Sequence, residues 1–450
     1  MRLRILPLFL LAAIVATELI SYAAFEPTLA NQPLSEYRGR RQRLIQQVTE
    51  GAIVIGGAWE QDFGEVGRFR QNNYFQYLTG VETPSAYLIL YPKGLEGARE
   101  MLFIPPRNLG AERWTGPQLG PGTEAETAFG IERVLPTTEF RKTLERITAT
   151  EKIIYAVMPR SQDTTQPREL MLVDDLRKLT TPSSTGPAAP VELRNVMPLI
   201  NRMRQTKSDS EIAMIQKAID ATRAAQLSLA RQLKPGVYEY ELEGDILANF
   251  IKNGAERTSF PSIVGSGIYS TILHYNNNRK KIDPGDMVVV DIGAEYSYYA
   301  ADITRTYPAS GKFTSRQREV YDLVLSAQER CEEVAKGGKV SLGALTAATR
   351  EVFKASPLRA KDDKGVEHSM DYFFIHSTSH WLGMDVHDVG LGGQQLSPGD
   401  VFTIEPGIYI TSEKLGVRIE DDYAMTPAGL KKLSAAIPSK ASDIEAMLKK

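Results

Sequence analysis

The feature that most constrains the fold is a ten-residue frame that occurs twice in the second half of the chain. Residues 284–293 read PGDMVVVDIG and residues 398–407 read PGDVFTIEPG, so both have Pro-Gly-Asp, four residues, an acid, one residue and glycine. A Pro-Gly-Asp turn before a strand is common, but turn chemistry does not explain an acid at the same place near each strand end. The repeat therefore favours a duplicated unit with Asp291 and Glu405 in equivalent positions.

A similar order of predicted elements surrounds each frame. The first unit begins at a capping-box pattern formed by Ser208 and Glu211, and its first helix stops at Pro235-Gly236. A second helix and short apolar strands follow, and the second unit repeats this order with predicted helices at about residues 315–336 and 342–354. One face of the first unit's second helix is predicted to carry Leu242, Ile246, Leu247 and Phe250, and the predicted strands contain FPSIVGSG, MVVVDIGAEY and ADITRTYP in the first unit and YFFIHSTS, VFTIEPGIYI and VRIEDDYAMT in the second.

A separate mixed α/β domain is predicted before residue 180. The runs GAIVIGGA, SAYLILYP, REMLFIPP and KIIYAVMP are short, apolar and bounded by turn residues, as buried strands are. The stretch TTPSSTGPAAP has the composition of a linker. The predicted organisation is an N-terminal domain over residues 25–180, a linker over 181–200 and a second domain over 201–450.

The first 24 residues are predicted to be a secretory signal peptide. Arg2 and Arg4 precede an apolar run over residues 5–16, and cleavage after Ala23 or Ala24 fits the small residues there. An uncleaved anchor is the alternative, although the run is shorter than the ~20 residues of a spanning helix. The sequence therefore predicts an exported protein, periplasmic or secreted.

Histidine is scarce in the chain and concentrated in one segment. Of 5 histidines among 450 residues, His376, His380 and His387 lie in HSTSHWLGMDVHD. Histidine is the commonest metal ligand and a general acid or base near neutral pH. A surface loop or satisfied core histidines would also explain the cluster, so its meaning depends on companions elsewhere.

Four acids occupy mirrored positions in the two predicted units. Asp291 ends a strand that should be buried on both faces, and Asp302 lies on the next predicted strand. If these strands pair as a hairpin that turns near EYSYYA, both carboxylates reach one point. Glu405 and Glu420 repeat the arrangement in the second unit. Because a bare buried charge is too costly, each carboxylate must be paired, protonated or bound to metal.

Taken singly, these acids could be structural ion pairs, with Arg305 and Arg418 as partners. If the four carboxylates and one imidazole converge, however, their charges repel strongly unless cations balance them. Two divalent ions would do so, and oxygen-rich ligation with one histidine favours Mn²⁺, with Co²⁺ or Zn²⁺ also compatible. A metal pair about 3.5–4 Å apart acidifies a bridging water, which predicts hydrolysis of a bond such as an amide.

The second half of the chain resembles the pita-bread metallopeptidases, the superfamily of methionine aminopeptidase, prolidase and aminopeptidase P. Their ordered ligands Asp, Asp, His, Glu and Glu are matched within DIGAEY, ADITRT, HWLG, TIEPG and RIEDD. FRQNNYFQYLTGVETPSAYLIL resembles the N-terminal domain of aminopeptidase P, and RMRQTKSDSEI resembles its lead-in to the catalytic domain. The resemblance implies an α/β (α+β) fold, with a creatinase-like mixed domain before a pita-bread domain that has a pseudo-two-fold repeat. The export signal departs from the pattern, since many relatives are cytosolic.

The resemblance also implies a role for each of the five ligand residues. Asp291 would chelate one metal, and Asp302 and Glu420 would bridge both. His380 and Glu405 would complete the other site, and Glu405 would also shuttle the proton of the bridging hydroxide.

Other residues near these motifs are implied to surround the substrate. His387 would stabilise charge at the scissile carbonyl, and His274 would stand across the cleft. His376 would line the pocket for the proline ring. Arg418 would orient the site through acid contacts, with a plain structural ion pair as the alternative.

Two aromatic residues are candidates for contact with a proline ring, Tyr409 and Trp381, although either would also suit a core. His368 has no implied role and is predicted to be an ordinary surface residue. Cys331, the 1 cysteine of the chain, shares a helical face with apolar residues and is predicted to be a buried structural thiol.

The function these features imply is an exported dinuclear-metal aminopeptidase that hydrolyses the N-terminal bond of peptides with proline in second position. A prolidase-like dipeptidase is the alternative, and a non-catalytic binding protein or an amidinohydrolase is disfavoured by the intact ligand set. The formal net charge of −2 gives no sign of a nucleic-acid partner. The resemblance implies a homo-oligomer, either a dimer or a tetramer.

Overall fold

The structure is a computed structural model that describes residues 32–59, 69–158, 167–180, 191–338, 340–391 and 393–449. The predicted signal peptide and residues 181–190 of the predicted linker lie outside these ranges. Within the described ranges, no helix is both long enough and apolar enough to cross a membrane.

A six-stranded mixed sheet with flanking helices forms the N-terminal domain. In chain order its elements are α1 Leu34–Gln47, β1 Ala52–Gly56, α2 Asn73–Thr79, β2 Tyr87–Leu95, β3 Ala98–Ile104, α3 Glu112–Thr115, α4 Thr123–Phe129, β4 Arg133–Pro136, α5 Phe140–Thr148, β5 Ile153–Ala156, α6 Pro167–Thr180 and β6 Glu192–Asn195. The strand order is β4-β3-β2-β1-β5-β6. The neighbours β1–β2 and β2–β3 are antiparallel, whereas β3–β4, β1–β5 and β5–β6 are parallel.

The four apolar runs predicted as strands form β1, β2, β3 and β5, in keeping with the burial that continuous apolar runs require. The predicted linker over residues 181–200 is wrong at its C-terminal end. Residues Glu192–Asn195 form β6 and pair in parallel with β5, so the first sheet continues beyond the expected boundary. The sequence ELRN is polar and lies at the sheet edge, so no hydrophobic pattern marked it as a strand.

The second domain contains two helical pairs, each followed by strands. Its elements are α7 Met197–Gln205, α8 Asp209–Gln232, α9 Glu239–Lys252, β7 Arg257–Thr258, β8 Ile263–Ser266, β9 Met287–Ile292, β10 Ala294–Tyr296, β11 Tyr299–Ala300, β12 Ile303–Pro308, α10 Ser315–Lys336, α11 Leu342–Ala355, β13 Arg359–Lys361, β14 Glu367–Ser369, β15 Val401–Ile404, β16 Gly407–Ile410, β17 Leu415–Arg418, β18 Asp421–Thr426, β19 Gly429–Lys432 and α12 Ala441–Met447. The sheets have the orders β12-β9-β8, β11-β10-β7, β15-β18-β19, β16-β17 and β13-β14.

The two units share details that go beyond their element order. Both long helices, α8 and α10, begin at capping boxes, Ser208 with Glu211 and Thr314 with Gln317. These details agree with the duplication expected from the repeated frame.

A buried glutamine also occurs at a corresponding place in each unit. Gln226 in α8 donates to the carbonyls of Val290 and Ile303, and Gln328 in α10 donates to the carbonyls of Ile404 in β15 and Ile419 just after β17. Each glutamine therefore ties its long helix to the backbone of the strands of its own unit.

Two details of the predicted elements are wrong. Leu247 is 43% exposed, whereas Leu242, Ile246 and Phe250 on the same helix are buried. The run YFFIHSTS is not a strand, because Met370–Phe373 form one 3₁₀ turn and the chain beyond it bends. Its last residues meet the chain at and just beyond β15 through separate hydrogen bonds, including Glu405 N–H to the Thr378 carbonyl at 2.8 Å and the Ser379 hydroxyl to the Thr403 carbonyl.

Cys331 is buried in α10, as predicted. Its sulfur lies 3.3 Å from the Leu345 carbonyl and 3.2 Å from the Thr349 hydroxyl. Burial raises the pKa of the thiol to about 11, so it is protonated at neutral pH and is a poor nucleophile.

Candidate active site

The β9–β12 hairpin brings the first two acids together. Ile292 pairs with Ile303, so Asp291 lies in β9 and Asp302 directly precedes β12. The chain between them turns at Ser297 and Tyr298, whose φ angles of 47° and 71° suit a tight hairpin. The expected hairpin near EYSYYA is therefore confirmed.

The second pair of acids lies on the corresponding hairpin, but in a shifted position. Ile404 pairs with Asp421 and Gly407 with Arg418, so Glu405 stands opposite Glu420. In the first unit the residue opposite Asp291 is Thr304 rather than Asp302. The expected mirror positions are thus offset by two residues. Because residues two apart on a strand face the same side, both acids still reach the site.

Three of the four carboxylates, those of Asp302, Glu405 and Glu420, surround the His380 imidazole. Its Nε2 lies 3.4 Å from Asp302, 3.6 Å from Glu405 and 3.7 Å from Glu420, measured to the nearest carboxylate oxygen. The Nδ1 atom lies 3.0 Å from the Trp381 carbonyl, which leaves Nε2 directed at the acids. Ligand atoms of Asp302, His380 and Glu420 all lie within 4.8 Å of one another.

Asp291 lies beside the guanidinium of Arg418, at the edge of this group. The Arg418 Nη2 to Asp291 Oδ2 distance is 2.6 Å, and Arg418 also donates to the hydroxyls of Tyr409 at 2.9 Å and Thr304 at 3.2 Å. Thr304 in turn donates to Glu420 at 2.7 Å. Arg418 therefore contacts one acid directly and another through a hydroxyl. Arg305, the other candidate partner, pairs instead with Asp421 outside the cleft.

Burial dominates the electrostatics of the acids. Burial and the neighbouring charges of Glu420 and Asp291 raise the pKa of Asp302 well above its usual range. Burial and the Glu420 charge raise the pKa of Glu405 to about 8. Burial alone would lower the pKa of His380, but the Asp302 and Glu420 carboxylates outweigh it and hold that pKa well above the ordinary value. Proteins place several acids so close when a cation offsets their repulsion.

The donor set also fits a metal centre at the level of single atoms. Asp291 Oδ1, Asp302 Oδ1 and Glu420 Oε1 are buried, and no hydrogen-bond partner for them occurs among the described residues. Buried carboxylate oxygens without partners are costly. Four carboxylates and one imidazole nitrogen are ligands for a fairly hard divalent ion.

These groups open into a cleft of about 680 Å³. The five predicted metal ligands line it, together with His274, His376, His387 and Arg418. Sequence reasoning missed its apolar and amide wall, which is formed by Phe260, Pro261, Ile263, Leu273, Asn276 and Val386. A second cavity of about 460 Å³ shares Val386 and His387 with the cleft, so the two spaces adjoin.

Tyr409 and Trp381 are not among the residues that line the cleft, so the structure does not place either ring where a proline in the cleft would contact it. Tyr409 is buried, and its hydroxyl joins Arg418 to the Nε2 of His376, which lies 2.8 Å away. Trp381 packs in the core cluster that contains Cys331. Both rings were predicted from their aromatic character, which does not distinguish a pocket wall from the layer behind it.

His368 stays outside the site, as predicted, but it is not an ordinary surface residue. Its ring stacks on Tyr372 with centroids 3.7 Å apart, and its Nε2 lies 3.1 Å from Asp362.

The fold and this site define a metallopeptidase of the pita-bread class, and comparisons with known proteins agree. The model of metallopeptidase family M24 matches residues 213–427, and that of the aminopeptidase P N-terminal domain matches residues 37–155. The chain is 35% identical to the Xaa-Pro aminopeptidase of Escherichia coli strain K12, over 92% of this chain and 97% of that protein.

Solved structures give the same result. Proline aminopeptidase P II from Yersinia pestis matches with a TM-score of 0.81 at 33% identity, covering 93% of this chain and 99% of that one. Zinc-substituted E. coli aminopeptidase P in complex with product matches with a TM-score of 0.82 at 33% identity, covering 93% and 98%. The chain belongs to the aminopeptidase P family, which makes it a metallo-exopeptidase.

Proposed function

We propose that the protein removes the first residue from peptides whose second residue is proline. The observation that carries this proposal is the convergence of Asp302, Glu405 and Glu420 on His380 Nε2 inside a cleft. The relatives support the substrate class, since the E. coli protein is an Xaa-Pro aminopeptidase. The bond before proline is a tertiary amide without an N–H, so an enzyme that grips the free N-terminus does not need a strand-like ladder there.

The proposed cofactor is a pair of divalent ions, with Mn²⁺ favoured by the oxygen-rich donor set and Co²⁺ or Zn²⁺ also compatible. The residues that would hold it are Asp291, Asp302, His380, Glu405 and Glu420. When bound, such a pair supplies Lewis acidity and an acidified water for attack on the scissile carbonyl.

The chain's own side chains would then orient substrate and move protons. Glu405 has the most accessible side chain of the four acids, 16% exposed, and would accept a proton from the attacking water. His387 and His274 line the cleft and would donate hydrogen bonds to the developing oxyanion. His376, held by Tyr409, would form one side of the proline pocket. Arg418 would keep Asp291 in place.

The test uses purified protein, stripped of metal and resupplied with Mn²⁺, Co²⁺ or Zn²⁺. The substrates are Ala-Pro-Ala, Ala-Ala-Ala and Ala-Pro, and chromatography of the products measures their cleavage. We expect metal-dependent release of alanine from Ala-Pro-Ala and little from Ala-Ala-Ala. The adjoining second cavity favours tripeptides and longer substrates over dipeptides. Cleavage of Ala-Pro alone would instead establish the prolidase-like alternative, and cleavage of none of the three would reject the substrate class.

We also propose export after cleavage behind Ala23 or Ala24, and assembly as a dimer or tetramer. The Arg-rich start and apolar run over residues 5–16 support export. The first residue of the protein recovered outside the cytoplasm, read by mass spectrometry, is expected to be Ala24 or Phe25. Full-length protein retained in the cell would contradict export, and light scattering on the same sample gives the oligomeric state.

A further inference from the structure

The loop that carries His387 has an anchor that no part of the proposed chemistry uses. His387 lies on the loop formed by residues 383–388, and its side chain is exposed to the cleft. Its ring packs edge-on against the ring of His380, with the two centroids 4.4 Å apart. An exposed imidazole on a loop is positioned only as well as the loop itself. The contacts behind the loop therefore decide where this imidazole sits.

The carboxylate of Asp388, the next residue, faces away from the cleft and lies between two buried cationic side chains. Its Oδ1 lies 2.7 Å from Arg204 Nη2, and its Oδ2 lies 2.8 Å from Lys207 Nζ. The side chains of all three are at most 2% exposed. Burial alone would raise the pKa of Asp388, but the Lys207 and Arg204 charges overcome it and hold the pKa below its usual value. The carboxylate is therefore ionised and firmly held.

Asp385, at the other end of the loop, meets the same guanidinium. Arg204 Nη2 lies 2.7 Å from Asp385 Oδ2, so one nitrogen bridges both aspartates. Asn73 from the N-terminal domain donates to Asp385 Oδ1 at 2.7 Å and to the Met384 carbonyl at 3.2 Å. The loop is thus held at Asp388 by α7 and at Asp385 by both α7 and α2, with Asp388 buried and the Asp385 side chain 49% exposed.

The backbone of the loop is shaped to allow this contact. A Cβ at Gly383 would overlap the Asp388 carboxylate and come within 2.8 Å of the Lys207 stem. The Gly383 carbonyl accepts from Ala300 N–H at 2.8 Å, and Asp388 N–H donates to the Trp381 carbonyl at 2.9 Å. The glycine lets the aspartate fold back against its own loop, which leaves His387 facing the cleft.

We infer that Arg204 is a positioning residue for His387: it bridges Asp385 and Asp388 and so holds the imidazole at the reacting carbonyl. The inference rests on the proposed role of His387. Arg204 does not line the cleft, so it acts only through the loop. A purely structural role would instead make Arg204 equivalent to other buried arginines such as Arg41, which pairs with Glu100 at 2.9 Å in the N-terminal domain.

The experiment compares Arg204→Met with Arg41→Met, which removes a buried ion pair between α1 and Glu100 on β3. We expect Arg204→Met to lower kcat on Ala-Pro-Ala by about 10–100-fold, with KM changed less than about threefold, because misplacement of a catalytic group mainly affects the chemical step. Bound metal should stay equal to wild type. Arg41→Met should keep kcat within about threefold although it loses comparable stability.

A double-mutant cycle identifies the route of the effect. In a His387→Ala background, Arg204→Met is expected to lower kcat by less than about threefold further, because the group it positions is gone. An equal 10–100-fold loss in that background would overturn the inference, as would an equal loss in Arg41→Met.

If Arg204→Met does not fold, Arg204→Lys is the second variant, because it keeps a cation near the aspartates. We expect it to retain more kcat than Asp388→Asn, and the reverse order would also overturn the inference.

A readout without turnover separates this inference from the proposed function. The chain has 5 histidines, so the imidazole signals of the Zn²⁺-loaded protein can be assigned by single substitutions in nitrogen-15 NMR spectra. We expect Arg204→Met to shift or broaden the His387 signal and to leave that of His368 unchanged. An unmoved His387 signal would reject the positioning role, whatever substrate the enzyme takes.

Discussion

Replacing Asp302 by asparagine is expected to abolish peptide hydrolysis, by at least about 10³-fold or ~4 kcal/mol of transition-state stabilisation, and yet to stabilise the metal-free protein. Asp302 is buried beside Glu420 and Asp291, and its Oδ1 has no partner among the described residues. Asparagine has the same shape but no charge, so the repulsion between carboxylates falls when no cation is present. With the proposed metals bound, the same change would remove one of their ligands.

The measurement is thermal or urea unfolding of both proteins with and without chelator, alongside activity and metal content. A gain of about 1 kcal/mol in the metal-free state is expected, since function-bearing acids commonly reduce stability. Asp421→Asn is the matched control. Asp421 is equally buried but paired with Arg305 at 2.7 Å and Lys432 at 2.7 Å, so its neutralisation should destabilise both states. A loss of stability in metal-free Asp302→Asn would show that the acids do not repel as described.

The largest loss of stability is expected from Arg305→Met. The guanidinium is fully buried and ion-paired with Asp421, and it donates to the carbonyls of Thr304, Glu420, Ile437 and Pro438. It therefore joins the β12 strand to the β17–β18 connection and to the C-terminal segment. Removing one member of a buried pair typically costs about 3–5 kcal/mol, because the other charge stays buried without compensation.

Urea unfolding of the metal-free protein measures this loss, which avoids the contribution of bound ions. The control is Arg141→Met, which removes an exposed pair with Glu145 on α5 and should change stability by no more than about 0.5 kcal/mol. If Arg305→Met costs less than about 1 kcal/mol, the pair with Asp421 is not the link between the two units that its contacts indicate.

Much of the fold followed from local patterns in the sequence. Long helices such as α8 and α10 were predicted because their caps and their apolar spacing are local features. The strand predicted from YFFIHSTS failed because a short apolar run does not reveal whether a neighbouring strand can pair with it along its whole length. β6 was missed for the opposite reason, since a polar edge strand depends on its partner β5 rather than on its own composition.

The candidate site divides in the same way. The four candidate acids stand out because carboxylates in apolar strands are anomalous in sequence, and the repeated frame gives Asp291 and Glu405 equivalent positions. The backing of the site left no such signal. No local pattern indicates that Arg418 pairs with Asp291 while Arg305 pairs with Asp421. Nor does one indicate that the Tyr409 hydroxyl connects Arg418 to His376.

The sequence by itself determined the two repeated units, the four acids at the ends of their strands, and the family to which the motifs point. Only the tertiary structure decided the two-residue offset between the acids of the two hairpins, the partner of each buried arginine, and the anchoring of the His387 loop by Arg204 and Asn73. The physical reason is that burial and pairing arise between residues far apart in the chain, such as Arg204 and Asp388, whereas capping, strand burial and turns are set by neighbours.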